Sequence, residues 1–217
     1  MNNTITFNNA NEAFDYYYDF IMQYGKRNET YKTLYITNCG FYIMNPQSND
    51  ITEKYRKWNK EYAEYEWNWY LSGDRNANDI AEKAKIWKNM QDENGHVNSN
   101  YGYQWNRNGQ LDYVVQELQV NPDSRRAVIS LYDGKEHPTY KLDTPCTLAI
   151  HFYIEDAKLN MSVMMRSNDL VFGFCNDQYC FSKLQMHIAE KLNIEVGTYY
   201  HFATNMHIYQ RHFNLKK

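Results

Sequence analysis

The sequence has few of the features that mark disulfide-bonded, membrane-spanning or nucleic-acid-binding proteins. Its four cysteines form no CxxC pair, which predicts reduced thiols with neither a disulfide framework nor a metal site. No stretch approaches the ~20 apolar residues that cross a bilayer, and no basic region followed by an apolar one opens the chain. The formal net charge of −3 is not typical of a nucleic-acid-binding face. We therefore expect a cytoplasmic protein that binds no metal, no membrane and no nucleic acid directly.

The composition is typical of a globular domain. The 217 residues are 43% hydrophobic, and a chain of this length can bury a sizeable core. It contains no repeat and no Pro/Gly-rich linker, so we predict one domain over residues 1–217. The 21 Tyr, 10 Phe and 5 Trp suit core packing or stacking against a flat ligand.

Hydrophobic periodicity predicts an α+β fold built on a mixed sheet. Helical spacing of apolar residues indicates helices near 10–24, 55–71, 78–90, 110–120 and 177–192. Alternating, β-branched or aromatic segments indicate strands near 32–44, 126–132, 147–155, 159–166 and 198–206.

Cys146 follows a proline in "TPCTL" and opens an apolar, β-branched segment. A buried thiol that only packs is the usual interpretation, since free cysteine is among the most buried residue types. A nucleophile would need cations nearby to favour the thiolate, and Arg125, Arg126 and Arg166 are candidates. A Cys–His–Asp hydrolase would also need a histidine, but no spacing selects one from His151, His187, His201, His207 and His212.

Other polar residues also allow two interpretations each. Asp177, at the start of the 177–192 helix, is either an N-cap or a hydrogen-bonding partner for a ligand. Glu66 lies amid aromatics in "EYEWNWYLSGD", on a solvated helix face or in an apolar pocket that raises its pKa. The "SRR" segment at 124–126 is either a solvated turn or an anion clamp. His207 and Tyr209 alternate along a strand and so face one side of the sheet.

Six segments taken together resemble the thymidylate synthase family. They are "EWNWYLSGDRN" (66–76), "NSNYGYQW" (98–105), "NPDSRR" (121–126), "TPCTL" (144–148), "RSNDLVFGF" (166–174) and "MHIYQRHF" (206–213). They occur in the family's order and close to its spacing from about residue 60 to 213, whereas the first fifty residues match poorly. The resemblance implies the family's α+β fold, in which a mixed sheet packs against helices and faces a second sheet across a two-fold dimer axis.

The resemblance also implies a role for each candidate. Cys146 would add to C6 of a pyrimidine nucleotide, so that C5 can attack the one-carbon unit of 5,10-methylenetetrahydrofolate. Arg166 and Ser167 would hold the phosphate, with Arg166 near the thiol and favouring the thiolate. Arg125 and Arg126 would reach the partner subunit's phosphate.

The remaining matches concern the sugar, proton transfer and folate. His207 and Tyr209 would bind the sugar 3′-hydroxyl, Tyr101 and Glu66 would belong to the proton-transfer network, and Asp169 and Trp87 would contact folate. Lys26, Arg27 and Lys32 are all candidates for the N-terminal phosphate contact.

Departures from the family pattern point to a particular branch. Synthases carry asparagine where this chain has Asp177. An amide can accept from N3–H of uracil and donate to O4. A carboxylate can instead accept from the N4 amino group of cytosine and stabilise a proton on N3. Mismatched polar groups in a buried site discriminate by ~10⁴ or more. Thr147 stands where the synthases usually have histidine, a change for which we have no physical account.

The sequence also ends at Lys217, before the C-terminal tail that closes over folate in the synthases. An open site would admit water to the exocyclic methylene intermediate. We therefore expect the phage-type deoxycytidylate (dCMP) hydroxymethylase branch, which gives 5-hydroxymethyl-dCMP. The alternatives are a synthase or hydroxymethylase acting on dUMP, and an inactive relative that binds nucleotide or RNA.

Overall fold

The predicted helices at 10–24 and 110–120 and the predicted strand at 147–155 have the expected bounds. The computed structural model describes residues 4–217, so residues 1–3 of the expected domain lie outside the described residues. The strands are β1 (Ile5–Phe7), β2 (Lys26–Asn28), β3 (Thr33–Ile43), β4 (Val128–Ser130), β5 (Thr147–Glu155), β6 (Lys158–Met165), β7 (Asn168–Asp169) and β8 (Glu195–Tyr209). The α-helices are α1 (Ala10–Tyr24), α2 (Lys60–Ser72), α3 (Asn78–Lys83), α4 (Ile86–Met90), α5 (Tyr101–Asn106), α6 (Gln110–Val120) and α7 (Cys175–Leu192).

These strands form a single mixed sheet within residues 4–217. Its order is β1-β3-β8-β6-β5-β4, with β2 paired to β3 and β7 paired to β8. The β3–β8, β6–β5 and β5–β4 pairs are antiparallel, and the β1–β3, β8–β6 and β8–β7 pairs are parallel. The fold is therefore the mixed α+β arrangement that the sequence predicts.

Several predicted boundaries were wrong, for local reasons. The helix expected at 55–71 begins only at Lys60, where the Asn59 side chain accepts from the Tyr62 backbone N–H at 3.1 Å and caps it. The helix expected at 78–90 is two short helices, because Ala84 is extended between them. The strand expected at 126–132 pairs only over Val128–Ser130.

One face of the sheet packs against α1 and α7 and forms the main core. The Tyr17 ring of α1 lies 4.8 Å from that of Phe41 on β3, and the inward residues of β8, from Tyr199 to Ala203, are fully buried at alternate positions. A smaller apolar cluster around Trp87, Ile80 and Val97 lies beside α2. Within residues 4–217 no helix is long and apolar enough to cross a membrane.

Candidate active site

Cys146 is held at the point where β5 begins, beside the end of β6. The Arg166 backbone N–H donates to the Cys146 carbonyl at 2.8 Å. The Arg166 guanidinium donates to the carbonyl oxygens of Pro145 (3.2 Å) and Thr144 (2.9 Å). The "TPC" segment is therefore clamped by the arginine, which also places a positive charge beside the thiol.

The net electrostatic setting of Cys146 nevertheless favours the thiol. Burial raises its pKa to about 11, the Arg166 charge lowers it, and the charges of Asp177 and Asp143 raise it further. The Arg166 charge therefore lowers the pKa of the thiol, but burial outweighs it. A nucleophilic Cys146 must lose its proton when it attacks.

Asp177 is not an N-cap. The helix α7 begins at Cys175 after a π-helical turn, Leu170–Phe174, and Asp177 lies inside its first turn. Its Oδ2 atom accepts a hydrogen bond from Asn168 Nδ2 at 2.8 Å. Asp169, rather than Asp177, caps the turn, accepting from the Val171 backbone N–H at 3.0 Å.

The Asn168–Asp177 pair requires glycine at position 173. A Cβ atom there would lie 2.9 Å from Asn168 Nδ2 and 3.3 Å from Asp177 Oδ2. The first contact is closer than real Cβ atoms allow, so any larger residue would displace the amide from the carboxyl. Gly173 thus lets the π-helical turn pass directly over this pair.

Three acidic side chains on different elements share this region. Burial raises the pKa of Asp177 well above its ordinary value, the nearby charges of Glu66 and Asp169 raise it further, and the Asn168 hydrogen bond lowers it. Burial likewise raises the pKa of Asp169 to about 6. Carboxyls with raised pKa values are common where protons are transferred.

Glu66 lies on the buried face of α2. The Tyr70 hydroxyl donates to its Oε1 atom at 2.9 Å, while its Oε2 atom is buried without a hydrogen-bond partner among residues 4–217. Burial raises its pKa to about 7, against the lowering effects of the Tyr70 and Tyr62 hydroxyls. Glu66 can therefore both hold and release a proton near neutral pH.

Tyr101 lies beside Tyr70, the hydrogen-bond partner of Glu66, because α5 packs very closely against α2. Gly102 follows Tyr101 on α5, and a Cβ atom at position 102 would lie 1.5 Å from the Tyr70 carbonyl oxygen. The Tyr70 and Tyr101 rings are 5.6 Å apart. Burial raises the pKa of Tyr101 well above its ordinary value, as do the charges of Asp177 and Cys146, so its hydroxyl keeps its proton in this region.

Trp87 reaches the site only through an intermediate side chain. Its indole Nε1–H donates to the Tyr62 hydroxyl at 2.9 Å, and burial and then the charge of Glu66 raise the pKa of Tyr62. The Trp87 ring also packs edge-on against Trp69, with centroids 5.0 Å apart. It is 7% exposed.

His207 and Tyr209 lie next to each other at the end of β8. Their ring centroids are 5.0 Å apart, and His207 is paired in register with Asp169. His207 Nδ1 lies 3.0 Å from Asn205 Oδ1, an oxygen that can only accept, so Nδ1 carries the proton. Burial lowers the pKa of His207 to about 4, which leaves Nε2 free as an acceptor.

The remaining predicted phosphate ligands are Arg125, Arg126, Ser167 and the N-terminal candidates Lys26, Arg27 and Lys32. Arg125 and Arg126 are exposed just before β4, and neither forms an ion pair within residues 4–217. Ser167 is partly buried next to Arg166. Of the N-terminal candidates, Arg27 pairs with Glu29 at 2.7 Å, and the Lys32 carbonyl accepts from the Gln210 backbone N–H at 2.9 Å.

The sequence reasoning missed several residues at this site. Asn168 and His201 are buried beside Asp177. Asp143 is buried behind Cys146 and accepts from the Asn98 backbone N–H at 2.7 Å. Arg56 is buried with its Nε–H donating to the Val171 carbonyl at 2.5 Å. His201 was one of five histidines that no spacing distinguished, and no local pattern marked the others.

The raised pKa of Glu66 predicts a pH-dependent stability difference. A carboxyl with a raised folded-state pKa costs no stability below its unfolded value of 4.5 and destabilises the fold as pH rises through about 7. We expect Glu66→Gln to be more stable than the wild type at pH 8, by up to ~3 kcal/mol. The advantage should vanish near pH 4.5 in denaturant titrations.

Glu64→Gln, also on α2, is the matched control with the opposite sign. Burial raises the pKa of Glu64, but hydrogen bonds from Tyr179 and Lys183 lower it overall. Its contribution is present above the unfolded pKa and lost in acid, so this variant should be less stable near neutral pH and the difference should shrink as pH falls. An equal pH profile for Glu66→Gln and wild type would contradict the buried-acid interpretation.

Comparison with known proteins gives the family. Residues 19–217 match the family described as thymidylate synthase. The chain is 33% identical over 180 residues to the thymidylate synthase of Bacillus mojavensis, covering 76% of this chain and 63% of that protein. It is 35% identical over 173 residues to the deoxycytidylate 5-hydroxymethyltransferase of Enterobacteria phage T4, covering 72% of this chain and 70% of that protein.

The chain belongs to the thymidylate synthase family. This is a family of enzymes that use methylenetetrahydrofolate as co-substrate and act on pyrimidine nucleoside monophosphates. The names of the two relatives give different substrate bases and different products. Their sequence identities to this chain are nearly equal. Overall similarity therefore leaves the choice of base to individual residues.

Proposed function

We propose that the protein is a folate-dependent deoxycytidylate 5-hydroxymethyltransferase. The overall reaction would combine dCMP, 5,10-methylenetetrahydrofolate and water to give 5-hydroxymethyl-dCMP and tetrahydrofolate. The observation that carries this proposal is Asp177, a carboxyl held by Asn168 at the position where the synthases carry an amide.

Cys146 would start the reaction by forming a bond to C6 of cytosine. The electron pair of the C5–C6 double bond moves toward N3, which takes up a proton, and C5 becomes nucleophilic. Asp177 lies close enough to Cys146 for its charge to raise the pKa of the thiol. Burial, with the charge of Glu66 next, raises the pKa of Asp177 itself, so its carboxyl can supply the proton that N3 needs and can accept from the N4 amino group.

Glu66 and Tyr101 would manage the later proton transfers. After the new carbon–carbon bond forms, the C5 proton must leave and the bond between the transferred carbon and folate must break, which releases tetrahydrofolate. Water must then add to the exocyclic carbon before Cys146 departs from C6. A carboxyl with a pKa of about 7 suits both accepting a proton and orienting water. The buried Oε2 atom of Glu66 has no partner within residues 4–217, which suits an acceptor reserved for a reaction water.

The nucleotide's sugar and phosphate would be bound at the ends of β6 and β8. The unprotonated Nε2 of His207 can accept from a sugar hydroxyl, and the Tyr209 ring lies 5.0 Å from the His207 ring. Arg166 and Ser167 would hold the phosphate, as an arginine binds its oxygens in pairs. Part of the Arg166 guanidinium is occupied by the Thr144 and Pro145 carbonyls, which would fix its orientation.

Methylenetetrahydrofolate would supply the one-carbon unit. Asp169 and Trp87 are the residues proposed to hold it. Asp169 is partly exposed as a residue, and its carboxyl, which already accepts from the Val171 backbone N–H, can also accept N–H groups from a heterocycle. Trp87 is largely buried in the smaller apolar cluster. It would therefore support Tyr62 at the side of the folate site and would not itself stack on the folate ring.

A dUMP-specific reaction is the second candidate, and the raised pKa of Asp177 favours it. When such a carboxyl holds its proton, it presents one donor and one acceptor, as an amide does. Such a group can also match the N3–H and O4 atoms of uracil. The protein would then be a thymidylate synthase or a dUMP hydroxymethylase.

Mass analysis of the nucleotide product tests these candidates. We expect incubation with dCMP and methylenetetrahydrofolate to add the mass of CH₂O to the nucleotide, and dUMP to react much more slowly. A methyl-mass product from dUMP would instead identify a synthase. No covalent change in either nucleotide would overturn the enzyme assignment.

We further propose a homodimer with shared sites. Tyr200 and Phe202 alternate with buried residues along β8, so they lie on the sheet face away from the helices. Met164 is paired in register with Phe202 and is 48% exposed, and Val128 on the edge strand of the sheet is 39% exposed. An apolar sheet face of this kind suits a second copy of the chain, and it would bring the unpaired Arg125 and Arg126 toward the partner's phosphate.

Hybrid dimers test the shared site. Cys146→Ala and Arg126→Ala are each expected to be inactive, but a hybrid of the two contains one intact site. Mixing with subunit exchange should therefore restore about a quarter of wild-type activity. Mixing Cys146→Ala with Arg166→Ala should restore none, since both residues would act in the same subunit. Equal results from the two mixtures would contradict sharing.

A further inference from the structure

A chain of three buried side chains leads from the core to Asp177. The Tyr199 hydroxyl lies 2.9 Å from His201 Nδ1, and His201 Nε2 lies 3.1 Å from Asn168 Oδ1. Asn168 Nδ2 then donates to Asp177 Oδ2 at 2.8 Å. Tyr199 and His201 are 0% exposed and Asn168 is 2% exposed, so bulk water does not compete with any of these partners.

The hydrogen bonds of the series Tyr199–His201–Asn168–Asp177 can be arranged in only two ways, with every donor pointing toward Asp177 or every donor pointing toward Tyr199. Burial lowers the pKa of His201 to about 3, so the ring is neutral and has one N–H. In the forward direction Tyr199 donates to Nδ1, Nε2–H donates to Asn168, and the Asn168 amide donates to Asp177. In the reverse direction Nδ1–H donates to Tyr199, the amide is turned over, and Asp177 must donate a proton to it.

Tyr199 makes the forward direction the stable one. In the reverse direction its hydroxyl would accept from His201, and its own O–H would need another acceptor. The hydroxyl has no second hydrogen-bond partner among residues 4–217. A buried donor left unpaired is unfavourable by more than an ordinary hydrogen bond contributes, so the Tyr199 hydroxyl sets the direction of all the hydrogen bonds that lead to Asp177.

We propose that Tyr199, His201 and Asn168 are positioning residues that fix which oxygen of Asp177 accepts and which donates, and thereby set the preference between cytosine and uracil. The inference rests on the proposed function in that Asp177 contacts the base. It adds residues that act through Asp177 without touching the nucleotide.

The consequence for the base follows from the arrangement at Asp177. Because Oδ2 accepts from Asn168, a protonated Asp177 carries its proton on Oδ1. The carboxyl then presents a fixed order of donor and acceptor. Cytosine and uracil reverse the order of donor and acceptor at N3 and the position-4 substituent, so a fixed order at the protein favours one base. The neighbouring carboxyls of Glu66 and Asp169 accept from the Tyr70 hydroxyl and the Val171 backbone N–H, and neither is hydrogen-bonded to Asp177 among residues 4–217.

Removing the Tyr199 hydroxyl alone tests the role in specificity. In Tyr199→Phe both directions of the chain leave one ring atom of His201 unpaired, so the bias disappears. We expect the ratio of kcat/KM for dCMP to that for dUMP to fall about tenfold. Tyr18→Phe is the matched control, because Tyr18 is 2% exposed and donates to the His212 carbonyl at 2.7 Å outside the chain. The control should keep the wild-type ratio.

The histidine tautomer tests the direction without any variant or any turnover. Nitrogen-15 NMR of the unliganded wild type should show His201 protonated on Nε2 and not on Nδ1. A proton on Nδ1 would overturn the inference whatever the enzyme's substrate. An unchanged dCMP to dUMP ratio in folded Tyr199→Phe would overturn the role in specificity.

Failure of the proposed function has a different signature. If the wild type converts dUMP in preference to dCMP, the proposed activity is wrong, while the His201 tautomer and the response of the ratio to Tyr199→Phe still decide the inference. If Tyr199→Phe does not fold, the tautomer measurement on the wild type decides it alone.

Discussion

Cys146→Ser is expected to reduce kcat by ~10³-fold or more while the protein remains folded, because a serine hydroxyl is a much weaker nucleophile than a thiolate at neutral pH. The substitution is nearly isosteric. The backbone bond from Arg166 to the residue-146 carbonyl does not involve the side chain. Single-turnover kinetics with dCMP and folate would measure the loss, and thermal unfolding would verify the fold.

Two controls separate chemistry from packing in this experiment. Cys175→Ser and Cys180→Ser alter thiols that are 0% exposed and belong to α7, so they should lower stability with a far smaller effect on kcat. Denaturing the wild type during turnover should trap a covalent adduct whose mass exceeds that of the protein by one nucleotide. Cys146→Ser should show no such adduct. Near-wild-type turnover by the serine variant would remove Cys146 from the mechanism.

Asp177→Asn is expected to invert the preference for the pyrimidine base. An amide cannot supply a proton to N3 of the cytosine adduct, so kcat/KM for dCMP should fall by ~10³–10⁴-fold. The value for dUMP should hold or rise, because an amide matches the edge of uracil. The phosphate and sugar contacts proposed for Arg166, His207 and Tyr209 should survive, so dCMP should still bind, though more weakly.

The position of Asp177 makes this result easy to interpret. The side chain does not cap α7, so the substitution should leave the helix intact. The Asn168 N–H can still donate to an amide oxygen in place of Oδ2. Parallel measurements of kcat/KM for both nucleotides in both proteins are needed. An unchanged dCMP to dUMP ratio would remove the main support for cytosine as substrate.

Elements with long, regular patterns were predictable from the sequence. The apolar spacing of α1 and α6 predicts their bounds as observed, since the period of buried residues is a local property. The hairpin of β5 and β6 follows from alternation and the short turn "EDAK". The π-helical turn before α7 was not predictable, because the Asp169 cap and the close approach of Gly173 to Asn168 depend on β7 pairing with β8.

The family follows from the sequence through its six ordered motifs, and the same motifs predict Cys146, Glu66, Arg166 and Asp177 as the reactive groups. The surroundings of these four side chains depend on the tertiary structure. Burial raises the pKa of Cys146 against the charge of Arg166, and Asp177 is held by an amide rather than capping a helix. The charge state and the hydrogen-bond direction of a group in a site depend on which side chains, distant in sequence, are buried next to it away from solvent. Tyr199, His201 and Asn168 come together only when β7 pairs with β8, so no local pattern could show them.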